Sequence, residues 1–312
     1  MVAFEKPNYP FNFDPQTEID AILNHKQTRG IPDKHPDKLL VATWNIANLG
    51  LQQRTNDHYK IIAEILSWFD LIAIQEIHEN LDGLNQLKSL MDPAYDLMFN
   101  DVGGNDERAA YLFDSSKIVR LQMVGELSVP PSQLRHIKIA GVQEQFNGFD
   151  RNPYVASFKF KDKKLVFINA HLFFGGESAA EMNRRGLEAY AVGRYADLEK
   201  KSGHSFADYY FALGDFNIPM ATAGDPIFDA LTNRGLVIPE HSTRIASSIM
   251  SDAQYDQVLF FPDTKRTIKA DGVFDFDHVL FSELYSQKPR SFKGYCRYYI
   301  SDHRPLWVQI EL

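Results

Sequence analysis

The amino-acid sequence predicts a mixed α+β domain built from packed layers. Continuous apolar and β-branched runs of strand length recur along the 312 residues, and most of them end in polar side chains. Only three or four segments place apolar residues at helical spacing. A strictly alternating parallel fold would need a helix after nearly every strand, so a layered α+β arrangement fits these proportions better.

The N-terminal half shows this mixture of elements. Residues 39–46 are an uninterrupted apolar run closed by Gly50, which is typical of a strand buried on both faces. Residues 56–69 have apolar side chains at helical spacing, with Asn56 or Asp57 available as the N-cap. By the same criteria we expect a helical turn within 14–25, a strand at 70–76, a helix at 84–90, strands at 95–99 and 111–113, and a polar loop over 100–107.

The C-terminal half adds a hairpin, a long helix and several short strands. Two apolar runs, 153–160 and 164–170, are joined by the tight polar turn Lys161-Asp162-Lys163, which predicts a β-hairpin. Residues 177–199 have the pattern of a long amphipathic helix. The alternating basic and aromatic residues of 290–298 fit either a nucleic-acid groove or an edge strand protected by positive charge. We expect the remaining strands at 209–212, 257–261, 278–281 and 305–312, and a loop over 129–152.

Composition limits the class of protein. An apolar fraction of 44% and a charged fraction of 24% are ordinary for a globular chain, and the single Cys296 excludes an internal disulfide. No apolar run reaches the length of a membrane span, and Pro7 and Pro10 interrupt any signal-like start, so a cytoplasmic location is the default expectation, with secretion as the alternative if a signal has been removed. The net charge of −8 argues against broad binding of phosphate backbones but leaves room for a local basic groove. No protein partner is indicated.

Leu213-Gly214-Asp215-Phe216-Asn217 is the stretch that most suggests a functional site. It follows the apolar run 209–212, and in an extended chain the side chains of Asp215 and Asn217 emerge on the same face. A carboxylate beside an amide suits a site that holds a hard cation, a water and a phosphate oxygen. A turn is the alternative interpretation, because Gly, Asp and Asn are also common turn residues.

Several other predicted strands end in polar residues suited to the same chemistry. Each of them alone has an ordinary structural explanation, such as a surface carboxylate or a hydrogen-bonded histidine. Their repetition favours a site, because functional groups gather where successive strands end on one rim. The residues are Asn45, Glu76, His171 and the run Ser301-Asp302-His303.

Five blocks together resemble the endonuclease/exonuclease/phosphatase superfamily. They are, in order, Thr43-Trp44-Asn45-Ile46, Ile74-Gln75-Glu76, Ile168-Asn169-Ala170-His171, Leu213-Gly214-Asp215-Phe216-Asn217 and Ser301-Asp302-His303-Arg304-Pro305. The resemblance implies a single catalytic domain over residues 39–312, folded as a four-layered sandwich of two packed mixed β-sheets flanked by helices. It also implies metal-dependent phosphoester cleavage at one rim. Residues 1–38 are expected to form an arm packed on that domain.

Two further stretches resemble the pancreatic-deoxyribonuclease branch of the superfamily. Asn105-Asp106-Glu107-Arg108 is similar to the segment that pairs a carboxylate with the branch's second histidine. Tyr255-Asp256-Gln257-Val258-Leu259 is similar to the segment whose aspartate orients the last histidine, although Gln257 and the absence of paired cysteines depart from that pattern. Asp277 competes for that role, because its spacing to the final Ser-Asp-His resembles the abasic-endonuclease branch; residues 273–276 favour Asp256.

The resemblance implies a role for each polar residue. Glu76 would be the main ligand of a divalent cation, with Asn45 and Asp302 near it and Asp215 as a candidate for a second ion. Mg²⁺ is the expected cofactor, with Mn²⁺ or Ca²⁺ as substitutes, because Mg²⁺ takes few carboxylates and keeps several waters. The expected catalytic residues are His171, His303, Asp256, Glu107, Asp215 and Asn217, with phosphate contacts from Arg151, Asn217 and His171. Arg151 has the alternative of a surface ion pair with Asp150.

The implied function is metal-dependent hydrolysis of nucleic acid, with a DNA endonuclease as the first expectation. His303 would take a proton from the attacking water and Asp256 would fix its tautomer, while the assignment of acid and base between His171 and His303 stays open. A phosphatase or phospholipase acting on inositol phosphate, sphingomyelin or a nucleotide is the alternative that the acidic charge favours. A binding protein without activity is disfavoured, because the expected polar groups are all present.

Overall fold

The computed structural model describes residues 2–240 and 245–312, and it has two packed β-sheets flanked by helices. The strands are β1 (Lys38–Leu49), β2 (Leu71–His78), β3 (Tyr95–Phe99), β4 (Glu107–Asp114), β5 (Val119–Glu126), β6 (Tyr154–Phe160), β7 (Lys163–His171), β8 (Tyr209–Asp215), β9 (Asp256–Phe260), β10 (Ile268–Val273) and β11 (Leu306–Glu311). The helices are α1 (Pro15–Thr28), α2 (Asn56–Ser67), α3 (Asp82–Leu90), α4 (Pro131–Leu134), α5 (Ala179–Lys201), α6 (Pro226–Thr232), α7 (Ser282–Gln287) and α8 (Pro289–Tyr299). Within the described ranges, no helix has the length and hydropathy that a membrane span requires.

The two sheets share one pattern of strand directions. The six-stranded sheet has the order β10-β11-β1-β2-β4-β3, and the five-stranded sheet has the order β5-β6-β7-β8-β9. Each sheet contains one parallel pair, β1–β2 or β7–β8, and its other pairs are antiparallel. Because the strands of a parallel pair end on the same edge, residues that follow β1, β2, β7 and β8 can meet at a rim.

Three apolar layers account for the uninterrupted hydrophobic runs in the sequence. Successive side chains of a strand point to opposite faces. On β1, Leu39 and Val41 pack between the two sheets, whereas Leu40 and Trp44 pack under α1, α2, α3 and α8. The outer face of the five-stranded sheet is covered by α5 and α6. The predicted four-layered sandwich of two mixed sheets with flanking helices is therefore confirmed.

A buried amide, Asn169 of β7, joins the two sheets. Its Nδ2 donates to the backbone oxygens of Ile74 (3.2 Å) and Ala110 (3.0 Å), and its Oδ1 accepts from Gln75 Nε2 at 2.6 Å. Gln75 also donates to Thr43 Oγ1 at 3.0 Å. Since Gln75 precedes Glu76 and Asn169 lies two residues before His171, this network fixes the rim of one sheet relative to the other.

The N-terminal segment lies over the helices of the six-stranded sheet. Helix α1 begins with Asp14 as its N-cap, whose carboxylate accepts from the Thr17 amide at 2.9 Å. From the end of α1, His25 and Arg29 both reach the buried carboxylate of Asp275, at distances of 2.6–2.7 Å. Ile22 is fully buried in the same layer. These contacts tie the segment to the loop after β10.

Several predicted elements differ from the structure. The strand expected at 278–281 is wrong: a 3₁₀ turn over Phe276–His278 leads into α7 there, and Phe281 has a φ of +54° that ends any extended run. The edge strand considered for 290–298 is also wrong, because the buried residues recur every three or four positions and form α8. The helix count was too low, since α4, α6, α7 and α8 were not predicted; α4 lies within the loop expected over 129–152. Strands β5 and β10 were missed as well; β5 is mostly exposed at a sheet edge and lacks an apolar run.

Replacing Asn169 with Ala tests the inter-sheet network. The substitution removes the bonds to the oxygens of Ile74 and Ala110 and one of the two bonds of the buried Gln75 amide, so the free energy of unfolding should fall by about 2–4 kcal/mol. Asn152→Ala is the matched control, because Asn152 is exposed and its side chain donates to Glu126 at 3.1 Å. Urea denaturation of both variants measures the difference, and an equal effect in the two would contradict this role.

Candidate functional site

Three strands of the five-stranded sheet present their functional residues in one row. His171 of β7 pairs in register with Asp215 of β8, and Asp215 pairs with Asp256 of β9. Side chains in one row of a sheet point to the same face, so these three converge. Gly214 permits the close approach, because its φ is +135° and an added Cβ would lie 2.0 Å from the Ala170 oxygen. The stretch around Asp215 is thus a strand end and not a free turn.

The six-stranded sheet contributes carboxylates and an amide to the same rim. The pairing of β2 shifts register around Glu76, which has a φ of +58° in the left-handed region. A conformation of this kind costs about 1–2 kcal/mol for a residue other than glycine, and it redirects the side chain inward. Asn45 Nδ2 donates to Glu76 Oε1 (2.9 Å) and Asp215 Oδ2 (3.0 Å), which connects the two sheets at the site. The amide of Asn48 donates to Glu76 Oε2 at 2.9 Å.

Two histidine–carboxylate pairs face each other across Asp215. His303 Nδ1 lies 2.7 Å from Asp256 Oδ2, and His171 Nδ1 lies 2.8 Å from Glu107 Oε2. The Nε2 atoms of the two histidines lie 3.7 Å and 3.6 Å from the same oxygen, Asp215 Oδ2. Each imidazole therefore has one nitrogen held by a carboxylate and the other directed toward Asp215.

The carboxylates determine the charge of the histidines. Burial alone would lower the pKa of His303, but Asp256 and Asp215 outweigh it and raise that pKa well above its usual value. The pKa of His171 is also raised, because Glu107 and Asp215 outweigh burial and the nearby Arg151. Burial by itself would raise the pKa of Asp215, yet the two histidines hold it below the ordinary range. Without a cation, the site therefore favours imidazolium beside carboxylate.

The structure separates the two carboxylates that compete for His303. Asp277 forms a bidentate ion pair with Arg304, with both nitrogen–oxygen distances at 2.7 Å. Asp256 holds the imidazole instead. The backbone around His303 is fixed by Ser301, whose Oγ donates to the Asn45 oxygen at 2.6 Å and accepts from the His303 amide at 3.0 Å. The geometry thus places Asp256, and not Asp277, behind His303.

The remaining predicted residues lie around this centre. Asn217 has a φ of +52°. Its backbone N–H donates to Asp215 Oδ1 at 2.9 Å, and its side-chain Nδ2 donates to the backbone oxygen of Leu172 at 2.8 Å. Arg151 donates to the oxygens of His171 (3.0 Å) and Leu172 (2.7 Å) and lies 3.4 Å from Asp150. The ion pair considered between Arg151 and Asp150 is therefore present, and the phosphate contact stays a prediction.

The donor set fits a hard divalent cation. Oδ1 of Asn45 is buried, and no polar atom of the described residues hydrogen-bonds to it. Ligand atoms of Asp215, Asp256 and His303 lie within 4.8 Å of one another, and the predicted principal ligand, Glu76, is outside that cluster. Burial raises the pKa of Glu76, which a cation would reverse by neutralising the carboxylate. Oxygen donors of this kind suit Mg²⁺ better than a soft metal.

The site opens into a cleft of about 470 Å³. Asp302 lines it beside His303 and lies 3.2 Å from Arg297 Nε. Two aromatic residues form part of its wall: Tyr255 lies 5.8 Å from the His303 ring, and Phe174, which is 47% exposed, lies 6.4 Å edge-on from Tyr255. The loop that carries Phe174 is held by buried Arg185 of α5, which donates to the oxygens of Phe173 (3.1 Å) and Gly176 (3.1 Å).

Sequence reasoning did not assign functions to Asn169, Gln75, Phe174 or Arg185. Asn169 and Gln75 lie in two of the blocks that carry the family resemblance, so their position was a usable signal. The sequence contained no such signal for Arg185, because a basic residue in a long helix is ordinarily exposed to solvent.

The fold and site place the chain in a class of two-sheet α/β sandwiches with a polar cleft at one rim. Solved structures identify that class as the endonuclease/exonuclease/phosphatase fold, which confirms the predicted resemblance at the level of the fold. A family protein from Bacteroides thetaiotaomicron aligns with a TM-score of 0.57 and 18% identity over 88% of this chain and 97% of its own. A mannosyl-6-phosphatase from the same organism aligns with a TM-score of 0.55 and 18% identity over 86% of this chain and 98% of its own. D. rerio TDP2 in complex with a single-strand DNA product aligns with a TM-score of 0.58 and 15% identity over 88% of this chain and 99% of its own.

At the level of sequence, no family model and no curated protein matches the chain.

The pKa of His303 tests the assignment of its partner. In metal-free protein with EDTA, Asp256→Asn should lower that pKa by about one unit or more, whereas Asp277→Asn should leave it nearly unchanged. Histidine NMR titration measures both variants. Because folding raises the pKa of His303, protonated His303 stabilises the folded protein, and this stabilisation is fully present at pH values below the ordinary histidine pKa. It declines as the pH rises through the folded value. A larger shift in Asp277→Asn than in Asp256→Asn would refute the pairing.

Proposed function

We propose that the protein is a divalent-metal-dependent phosphodiesterase that cleaves nucleic acid, with DNA as its first expected substrate. The observation that carries the proposal is the arrangement of His171 and His303, each backed by a carboxylate, on either side of Asp215. Hydrolysis of a phosphodiester needs a proton to leave the attacking water and a proton to reach the departing oxygen. Two histidines on opposite sides of one centre can meet both needs.

His303 is the proposed general base. Its Nδ1 is held by Asp256 at 2.7 Å, so its Nε2 is the nitrogen that faces the cleft. With the positive charge of a bound cation opposing the imidazolium, the neutral imidazole would accept a proton from water at this atom. Asp256 and Asp215 favour the imidazolium that this transfer produces. The Asp215 oxygen near Nε2 and the Asn217 amide bound to Asp215 would orient the water.

His171 and Glu107 form the proposed pair on the leaving-group side. The carboxylate of Glu107 keeps the imidazole protonated, and protonated His171 can bind a phosphate oxygen or give its proton to the departing oxygen. Arg151 fixes the backbone oxygens of His171 and Leu172 and so holds this side of the cleft in place. Its guanidinium also lines the cleft, where it can contact a bound phosphate.

Glu76, with Asn45 and Asp302, is the proposed cation site, and Asp215 is available to a second ion. A divalent cation bound there supplies positive charge that offsets the charge of the phosphodiester and of the developing transition state. Asn45 links Glu76 to Asp215 through its Nδ2, while its Oδ1 remains free of hydrogen bonds from the described residues. A ligand amide held in this way positions its oxygen for a cation or a cation-bound water.

The structurally similar proteins support phosphoester hydrolysis as the reaction and leave the substrate to experiment. One is a mannosyl-6-phosphatase and another is TDP2 with a single-strand DNA product, so this fold carries both kinds of substrate. The open cleft and its aromatic wall at Tyr255 and Phe174 favour a nucleic acid, because exposed rings can stack on bases.

Replacing His303 with Ala tests the reaction. Metal-dependent cleavage should fall by at least about 100-fold, because the water loses its proton acceptor. The assay uses supercoiled plasmid, single-stranded DNA, RNA and a generic phosphodiester with Mg²⁺ or Mn²⁺, each with an EDTA control. His278→Ala is the matched variant, since His278 is an exposed histidine, and it should retain activity.

Two results would count against the proposal. Hydrolysis restricted to inositol or lipid phosphates would remove nucleic acid as the substrate. The absence of metal-dependent hydrolysis from every ester in the panel would indicate a binding protein on the same scaffold.

Replacing Glu76 with Gln tests the cation site without relying on turnover. A ligand that binds only the folded state raises the midpoint of thermal unfolding. Saturating Mg²⁺ should therefore raise the melting temperature of the wild type and of Glu79→Gln, which alters an exposed carboxylate three residues away. Glu76→Gln should lose this response. An unchanged Mg²⁺ response in Glu76→Gln would place the cation elsewhere, with the Asp215, Asp256 and His303 cluster as the next candidate.

A further inference from the structure

Helix α8 (Pro289–Tyr299) exposes a basic face beside the cleft. Its buried side is apolar and aromatic, formed by Phe292, Tyr295, Cys296 and Tyr298. Arg290, Lys293 and Arg297 lie at positions i, i+3 and i+7, which share the opposite side of the helix. Arg290 and Lys293 are exposed, and within the described part of the chain no carboxylate forms an ion pair with either of them. On a protein with a net charge of −8, this is a local excess of positive charge.

Arg297 connects this face to the catalytic cleft. Its guanidinium stacks on the ring of Phe4, 3.5 Å from the centroid, and its Nε lies 3.2 Å from Asp302 Oδ2. It lines the cleft, and it also lines a groove of about 300 Å³ between residues 4–9 and α8. Arg297 is therefore the residue that the groove and the cleft share.

The basic face has the length of a short stretch of nucleic acid. From residue 290 to residue 297 the helix rises about 10 Å. One strand of nucleic acid carries a phosphate about every 3.4 Å along a duplex axis, so more than one phosphate can lie against the face. At the cleft, the rings of Phe174 and Tyr255 offer stacking surfaces for bases. Basic grooves combined with exposed aromatic rings are typical of proteins that bind single strands.

We propose that the basic face of α8, together with the groove beside it between α8 and residues 4–9, binds the phosphates of a single-stranded nucleic acid whose scissile bond lies in the cleft. The inference rests on the proposed function and deepens it by naming the form of the substrate. Arg297 is a substrate-binding residue at the junction, and Phe4 holds its guanidinium in position. The N-terminal segment thus forms one wall of the substrate path.

Gly294 provides a direct test of the charge requirement. It lines the groove, and a Cβ at this position would meet nothing within 4 Å, so a side chain can start there without displacing a neighbour. Affinity for a labelled single-stranded oligonucleotide of about 12 nucleotides is measured by fluorescence anisotropy in EDTA, which prevents cleavage. Relative to Gly294→Gln, we expect Gly294→Lys to bind several-fold more tightly and Gly294→Glu several-fold more weakly.

The double variant Arg290→Gln/Lys293→Gln tests the phosphate contacts themselves. Its affinity for the same oligonucleotide should fall at least about tenfold, and the slope of log affinity against log salt should decrease by about 1.4, as expected for two lost contacts with a single strand. Lys265→Gln/Arg266→Gln removes two cations from the separate segment Pro262–Thr267 and is the matched control. It should bind like the wild type.

Four results would overturn the proposal. The first two are an unchanged salt slope in Arg290→Gln/Lys293→Gln and equal affinities of the three Gly294 variants. The third is binding of the corresponding duplex as tight as that of the single strand, or tighter. The fourth is equally tight binding of polyglutamate, which would indicate an acidic protein partner. Because binding is measured in EDTA, the outcome is separate from catalysis. Binding through α8 without hydrolysis of any ester would retain the substrate path and refute the proposed reaction.

Discussion

The geometry of the candidate site depends on the buried side-chain amides of Asn169 and Asn45. Asn169 satisfies both of its donors and its acceptor across the interface between the sheets, and Asn45 bonds a carboxylate from each sheet. Apolar packing between sheets is not directional, so it would tolerate small sliding motions that hydrogen bonds do not. A buried hydrogen-bond network that spans both sheets therefore fixes the register of the rims. The distances between Glu76, Asp215 and the two histidines depend on that register.

The site concentrates groups that oppose folding. Four carboxylates line the cleft, those of Glu76, Glu107, Asp215 and Asp302, and a fifth, Asp256, is buried behind His303. The backbone at Glu76 and Asn217 adopts positive φ values of +58° and +52°. Burial of carboxylates and left-handed backbone each cost free energy. The histidines offset part of the charge, and a divalent cation would offset more. The surrounding strands, buried on both faces, supply the apolar stabilisation that makes such an arrangement tolerable.

The difference between apolar strands and the polar groups at their ends also determines how much of the structure was predictable from the sequence. Strands such as β1 and β2 were predictable because burial on both faces leaves an uninterrupted apolar run, and the polar residues at their ends marked the rim. The partner of His303 was not predictable from spacing, because Asp256 and Asp277 both fit; only the bidentate pair of Asp277 with Arg304 separates them. Helix α8 was misjudged because alternating basic and aromatic residues resemble an edge strand, while its buried residues in fact follow a helical period.

Net charge is a poor guide to what this protein binds. Part of the total of −8 comes from the carboxylates of the cleft, which are compensated locally by histidines and available to cations. The cations of α8 are instead grouped on one exposed face, and Arg297 places one of them beside Asp302. A substrate with several phosphates responds to this local field within about one Debye length of 8–10 Å and not to the sum over the surface. An acidic protein can therefore bind a polyanion, provided that its positive charges lie along the path that leads to the cleft.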